Sequence, residues 1–180
     1  MHTVLLDMVM SLDGFVAGPN NEDGGLHDWY FAPSGNAVFV IDELIQSIGA
    51  MILGNQVFGN QPDGWDTPYK VPHFVLTHTP CKPVERGGMT FYFVTDGIES
   101  ALAQAKEAAG EKLICVAGGA STAQQFLQAG LVDEIQIHLV PVLMGGGLRL
   151  FDQSGATKLE QTRVLESPGV THLRYRMVKE

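Results

Sequence analysis

The chain has 180 residues, 45% of them hydrophobic and 17% charged, and 11 Lys and Arg against 20 Asp and Glu leave a formal net charge of −9. With a mean hydropathy of +0.08 it is too apolar for a disordered chain, and its length suits one domain that needs neither disulfide nor metal to hold a core. The acidic balance argues against nucleic acid or an anionic membrane as a general partner, because both require a basic face.

Residues 4–10 form a short apolar run of strand formers and read as a buried strand. Asp7 puts a carboxylate inside that run, which does not fit a secretory leader. No stretch reaches the ~18 apolar residues of a membrane helix. Residues 11–35 carry Gly14, Gly18, Pro19, Gly24, Gly25, Pro33 and Gly35 and read as loop. Asn36 is expected to cap a helix with Val38, Ile41, Leu44, Ile45 and Ile48 at helical spacing. Residues 50–53 read as a buried strand ending at Gly54, and residues 55–70 as a loop. Strands are expected over 71–77 and 90–94. Asp96-Gly97-Ile98-Glu99 resembles a capping box for a helix that Gly110 ends. A strand over 113–117 leads through Gly118-Gly119 into a helix over 121–129, and residues 134–141 form the next strand. The tail alternates Leu173, Tyr175 and Met177 with His172, Arg174 and Arg176, as in a half-exposed antiparallel strand, and Ser167-Pro168-Gly169 turns into it.

Alternating strands and helices closed by an antiparallel hairpin describe an α/β fold: a three-layer mixed β-sheet with flanking helices, in a single domain over 1–180. Ligands of such sheets bind at the carboxyl ends of strands, here near Gly54, Thr77 and Gly118. The Gly118-Gly119 turn opens a helix, so its free N–H groups can hold a phosphate without Lys or Arg. There is no Gly-Lys-Ser/Thr of a P-loop and no third glycine of a Rossmann fingerprint. Gly119-Ala120-Ser121-Thr122-Ala123 also approximates a nucleophile elbow, with His172 as base and Asp133 or Asp152 as acid. A small serine hydrolase using Ser121 therefore stays open as an alternative. The histidines show no His-x-His and the cysteines no Cys-x-x-Cys, so no metal is expected. Cys81 and Cys115 cannot make a disulfide framework, and a cytoplasmic location is the simplest expectation.

Several segments, in order, resemble the reductase domain of bacterial riboflavin-biosynthesis enzymes. They are Ser11-Leu12-Asp13-Gly14-Phe15-Val16-Ala17-Gly18, Ile52-Leu53-Gly54, Val75-Leu76-Thr77-His78-Thr79, Val116-Ala117-Gly118-Gly119-Ala120, Leu131-Val132-Asp133-Glu134-Ile135 and Val140-Pro141-Val142-Leu143-Met144-Gly145-Gly146-Gly147. Dihydrofolate reductase shares that fold and the Gly-Gly turn. The resemblance implies a dihydrofolate-reductase-like domain that passes hydride from NADPH, with NADH possible, to a small polar or heterocyclic substrate. The compound implied by the closest family is 5-amino-6-(5-phosphoribosylamino)uracil. Binding of a nicotinamide or nucleotide without turnover is the other open reading.

The resemblance carries over Val16, Ala17, Gly18, Gly54, Asn55, Gln56, Val57, Thr77, His78, Thr79, Gly118, Gly119, Ala120, Ser121 and Thr122 as cofactor contacts. It carries over Met10, Trp29, Phe31 and Asp42 as substrate contacts, and it implies a cis Gly118–Gly119 bond. Loop packing is the other reading of Trp29 and Phe31, and a solvated helix face that of Asp42. Asp13, in a glycine-flanked loop, is the candidate acid; holding the loop is its other reading. Asn55 stands where many relatives carry a basic residue for the cofactor's 2′-phosphate, with Lys82 and Arg86 as substitutes. Val38 stands where dihydrofolate reductase would place its helix carboxylate, which argues against folate reduction. Gly59-Asn60-Gln61-Pro62 replaces the Asp-Asn-Pro that the riboflavin enzyme often carries, and its zinc-binding deaminase half has no counterpart. Relatives often pair, and residues 143–150 offer apolar side chains, so a homodimer is expected.

Overall fold

A computed structural model describes residues 2–59, 67–152 and 155–178. β1 (Val4–Ser11) opens the chain, followed by the short β2 (Phe15–Ala17), a 3-10 turn at Pro19–Asn21 and α1 (Asp28–Phe31). Then come α2 (Asn36–Ser47), β3 (Ile48–Gly54), α3 (Asn55–Gly59), β4 (His73–Leu76), β5 (Val84–Arg86) and β6 (Met89–Val94). α4 (Ile98–Ala109), β7 (Leu113–Val116), α5 (Ala120–Gln128), β8 (Glu134–Val140), β9 (Leu148–Arg149), β10 (Leu159–Ser167) and β11 (Val170–Met177) complete the described chain.

Nine of these strands make one sheet in the order β10-β11-β8-β1-β7-β3-β4-β6-β5. The centre is parallel, while β11 runs antiparallel to β8, β10 to β11 and β5 to β6. β2 pairs with β9 in a separate two-stranded ribbon. Helices cover both faces, so the expected three-layer, dihydrofolate-reductase-like architecture is the one observed. Six of the seven residues of β3 are buried, which is why the strand reads as a continuous apolar run. On one face, Val40 and Leu44 of α2 pack with Leu5, Met51 and Cys115. On the other, α4 and α5 pack Ala101, Leu102, Ala105, Ala123 and Phe126 against Val4, Leu6, Ile52 and Val116. The strand period of two therefore puts Leu5 and Asp7 of β1 on the α2 face and Leu6 and Met8 on the α4–α5 face.

Local chemistry corrects several expectations. Residues 11–35 are not all loop, since they hold β2, the 3-10 turn and α1. Asn36 does not cap α2. Gly35, at φ 57, takes the cap position, and the Asn36 side-chain amide donates to the Glu166 carbonyl at 2.9 Å, tying α2 to the C-terminal hairpin. Val38 is 43% exposed, and Ala37, Val40 and Leu44 face the core instead. The capping box before α4 does not form: Gly97, at φ 101, is the cap and no side chain bonds the helix start. Gly110 ends α4 at φ 61, as expected. The edge strand β5 was not expected, and α3 follows Gly54 directly where loop was expected. Residues 60–66 of that expected loop lie outside the described residues. β11 is not polar on one face, because His172 is fully buried there. Among the described residues, no helix is long and apolar enough to cross a membrane.

Candidate active site

A cleft of about 1520 Å³ crosses the carboxyl ends of the central strands, lined by residues of β1, β3, β4, β6 and β8 and by the loops that follow β3, β4 and β7. It has two chemically different halves. The first is built by glycines. The Gly54 amide, at the end of β3, donates to the Gly118 carbonyl at 2.8 Å and locks the two strand ends together. A Cβ on Gly54 would come within 2.9 Å of Thr122 Oγ1, so a side chain there would push into the start of α5. The Gly118–Gly119 peptide bond is cis, as the resemblance implied. Gly118 sits at φ 111, a conformation that disfavours any side chain. α5 starts at Ala120 with Gly119 as its cap and no side-chain capping bond, so its first amides are left for a ligand.

Gly54, Asn55, Gln56, Val57, Thr77, His78, Thr79, Gly118, Gly119, Ala120, Ser121 and Thr122 all line this cleft, as do Val16 and Ala17. Ser121 is exposed, whereas Thr122 is buried over Gly54, so only the Ser121 hydroxyl stands open at the helix start. Gly18 is not among the lining residues. Its backbone bonds Glu22, and a Cβ on it would meet Met144 Cε at 2.8 Å, so it is a packing glycine. Arg86, named as a substitute cation, stacks over Phe58, 4.6 Å from the ring centroid.

The second half is floored by polar groups inside buried strands. The Asp7 side chain is 17% exposed, and its Oδ1 accepts from Gln136 Nε2 at 2.9 Å and faces His138 Nε2 at 3.0 Å. Burial pushes the Asp7 carboxyl up, but the His138 ring and the hydrogen bonds from His138 and Gln136 outweigh it and hold the group below its ordinary value. His138 Nδ1 faces His172 Nδ1 at 2.7 Å, and His172 Nε2 faces Ser167 Oγ at 3.2 Å. An ionised carboxylate only accepts, so hydrogen-bond logic assigns the chain. Ser167 donates to His172, His172 to His138, and His138 to Asp7. Burial, with the neighbouring His138, holds His172 down at about 4. Trp29 covers the pair, its ring centroid 4.8 Å from that of His138. Tyr30 and Tyr69 hydrogen-bond each other beside this floor, and burial raises both phenols.

Trp29 and Phe31 line this half, Trp29 buried and Phe31 81% exposed at the rim. Met10 does not line it. The strand alternation turns Met10 into the core cluster and leaves Val9 on the cleft. Asp42 is also misplaced by the sequence reading: it lies on the outer face of α2 in a shallow groove with Phe39, Glu43, Gln46 and Ser47. Asp13 is likewise outside the lining and is a loop clamp. It takes hydrogen bonds from the Ser11 hydroxyl and from the Met144 and Gly145 amides. The Ser11 bond leads in holding its carboxyl at about 2, which leaves it no proton to give at neutral pH. The hydrolase geometry is absent as well, because both ring nitrogens of His172 face His138 and Ser167, away from Ser121. Asp7, Tyr30, Tyr69 and His138 were missed. For two of them the signal was there: Asp7 and His138 are polar residues inside apolar strands, where a charge or ring needs a reason to be buried.

A sequence model of the RibD C-terminal domain matches residues 2–173. YyaP of Bacillus subtilis, itself uncharacterised, is 27% identical over 96% of this chain and 93% of that protein. YwjB of the same organism, also uncharacterised, is 28% identical over 86% of each. Among solved structures, a candidate riboflavin biosynthesis protein from Shewanella sp. PV-4 superposes with a TM-score of 0.76 at 24% identity, covering 98% of this chain and 99% of that one. The deaminase/5-amino-6-(5-phosphoribosylamino)uracil reductase of Thermotoga maritima superposes at 0.70 and 16% identity, with 98% of this chain matching 57% of that one. Dihydrofolate reductase of Enterococcus faecalis, complexed with NADP(H), gives 0.67 at 13% identity, covering 98% and 97%. With that match over nearly its whole length, the chain belongs to the RibD C-terminal domain family.

Proposed function

We propose that the protein is an NAD(P)H-dependent reductase that passes hydride to a small polar or heterocyclic substrate. The observation that carries this reading is the two-part cleft, with a glycine-built, helix-opened half beside a half floored by Asp7 and His138. The glycine half fits a dinucleotide. Gly54 and Gly118 leave room where side chains would stand, and the first α5 amides, with no side-chain cap, would serve as donors to a pyrophosphate. Membership of a family with reductase relatives, and the NADP(H) of the dihydrofolate reductase neighbour, support the same cofactor class.

When bound, a reduced nicotinamide supplies the hydride. The chain's own work is to orient and to move a proton. Gly118 to Ser121 would hold the phosphate end, and Val16 and Ala17 of β2 would lie along the cofactor. Trp29 and Leu44 wall the substrate half against water. Asp7 and His138, 3.0 Å apart, are the pair that would hold the proton of the reduction. His172 and Ser167 fix the His138 tautomer. A panel of reducible pyrimidines and pterins, followed by loss of reduced-nicotinamide absorbance, tests turnover. Binding of NADPH with no turnover on any acceptor would favour a binding role instead.

We further infer that NADPH binds at least as well as NADH, with the His78 ring in the lining just beyond the β4 end. The expected setting is the cytoplasm, with one exposed and one buried thiol, Cys81 and Cys115. The expected state is a homodimer, supported by Leu143, Leu148 and Phe151, which are 72%, 42% and 43% exposed.

A further inference from the structure

We propose that the substrate half of the cleft takes an unphosphorylated molecule, neutral or cationic, that presents an N–H group to Asp7 Oδ2. The inference rests on the reading that the glycine half holds the cofactor, and it separates this chain from the phosphorylated compound named for its Thermotoga relative.

Both hydrogen bonds to the Asp7 carboxylate end on Oδ1, and no described side chain donates to Oδ2. The side chain is pinned, since Gln136 holds it and Arg163 in turn holds Gln136 at 3.1 Å. A fixed carboxylate on a cleft wall with one oxygen free of protein donors calls for a donor from the ligand. Trp29, at the same end, keeps a buried indole N–H that no group among the described residues accepts. A ring edge with an N–H next to an acceptor would satisfy both.

Charge excludes the other class. The described lining carries Asp7, Glu22, Asp23 and Asp152 against one guanidinium, Arg149, and no lysine. Arg149 is engaged, lying 4.5 Å from the Phe15 ring centroid and donating to the Asp13 carbonyl. His27 pairs with Asp23. Arg163 and Arg174, behind Asp7, are bound by Glu43 and Glu134 and lie outside the lining. A phosphate brought into this half would meet the Asp7 carboxylate with no lysine and no unengaged arginine in the described lining, and like charges set side by side disfavour binding.

The test is calorimetry on the NADPH-saturated protein with two probes, 5-amino-6-(5-phosphoribosylamino)uracil and its dephosphorylated form. The dephosphorylated probe is expected to bind at least about tenfold more tightly, and Asp7→Asn to weaken it by at least about tenfold. The same variant should bind NADPH as the wild type does, which also shows that it is folded. Equal or tighter binding of the phosphorylated probe, binding indifferent to Asp7→Asn, or binding of neither probe would each overturn the proposal. Failure of NADPH itself to bind would overturn the cofactor reading, a result seen before any probe is added.

Discussion

Gly147 and Gly119 both border the cleft, yet a methyl group added to each would do different things. Gly147 sits at φ 127, and a Cβ there would lie 2.0 Å from the Ala17 carbonyl, inside the β2–β9 ribbon. Gly147→Ala is therefore expected to lower unfolding free energy by at least about 1–3 kcal/mol, measured by urea denaturation. Gly119 has φ −75, and a Cβ would meet only Val57 Cγ2 at 3.6 Å. Gly119→Ala should melt near the wild type while losing NADPH affinity, because the methyl enters the ligand's space and not the protein's. Equal stability of the two variants would contradict this assignment.

Two histidines give the molecule a second residue-scale signature. Burial holds His73 and His172 down at about 4, against 6.5 for an unperturbed ring. Between those values the unfolded chain takes up protons that the folded chain refuses. Stability therefore falls as pH drops from about 6.5 to 4. Thermal melts at pH 7 and pH 4.5 should show a clear drop in Tm, and His172→Gln should make that drop smaller. A flat profile across the window would mean that these rings are not held neutral.

At the scale of elements, α2 and the β10–β11 hairpin are joined by one bidentate pair. Arg163 Nη1 and Nη2 donate to the two Glu43 oxygens at 2.8 and 2.7 Å, with side chains 23% and 30% exposed. The Arg163 hydrogen bond favours the ionised form of Glu43 and outweighs burial, holding the carboxyl below its ordinary value. Removing one partner of a half-buried pair leaves the other uncompensated, so Arg163→Met should cost about 1–3 kcal/mol. A double-mutant cycle with Glu43→Gln should return a coupling well above that of an exposed ion pair. Coupling near zero would show that the hairpin docks by other contacts.

The same scale explains what the sequence made legible. β1, β3 and β7 are buried on both faces, so their apolar runs announce them without alternation. β11 misled because its alternate polar positions are not solvent-facing, and His172 points into the buried histidine pair. Helix starts misled for another reason. Gly35 and Gly97 adopt positive φ and take the cap positions that Asn36 and Asp96 were expected to use.

For the whole molecule, the glycine half of the cleft could be read in the chain because backbone geometry writes itself as glycine: Gly54, Gly118 and Gly119 meet there as expected. The substrate half could not. Its groups are assembled by sheet order, which brings β1 beside β8 and β8 beside β11 and so joins Asp7, His138 and His172 from positions 131 and 34 residues apart. Asp42 and Met10 were misassigned for the converse reason, since a one-residue change of face carries a side chain out of the cleft.

The central claim is that a nicotinamide cofactor lies across the glycine half of the cleft. Amide NMR of the labelled protein during titration with NADPH tests it most directly, because it reports binding and place together. The account predicts saturable shifts concentrated at Gly54 to Val57, Thr77 to Thr79 and Gly118 to Ser121, with the outer face of α2 around Asp42 silent. No shifts with millimolar NADPH or NADH, or shifts confined to residues outside the cleft, would contradict it.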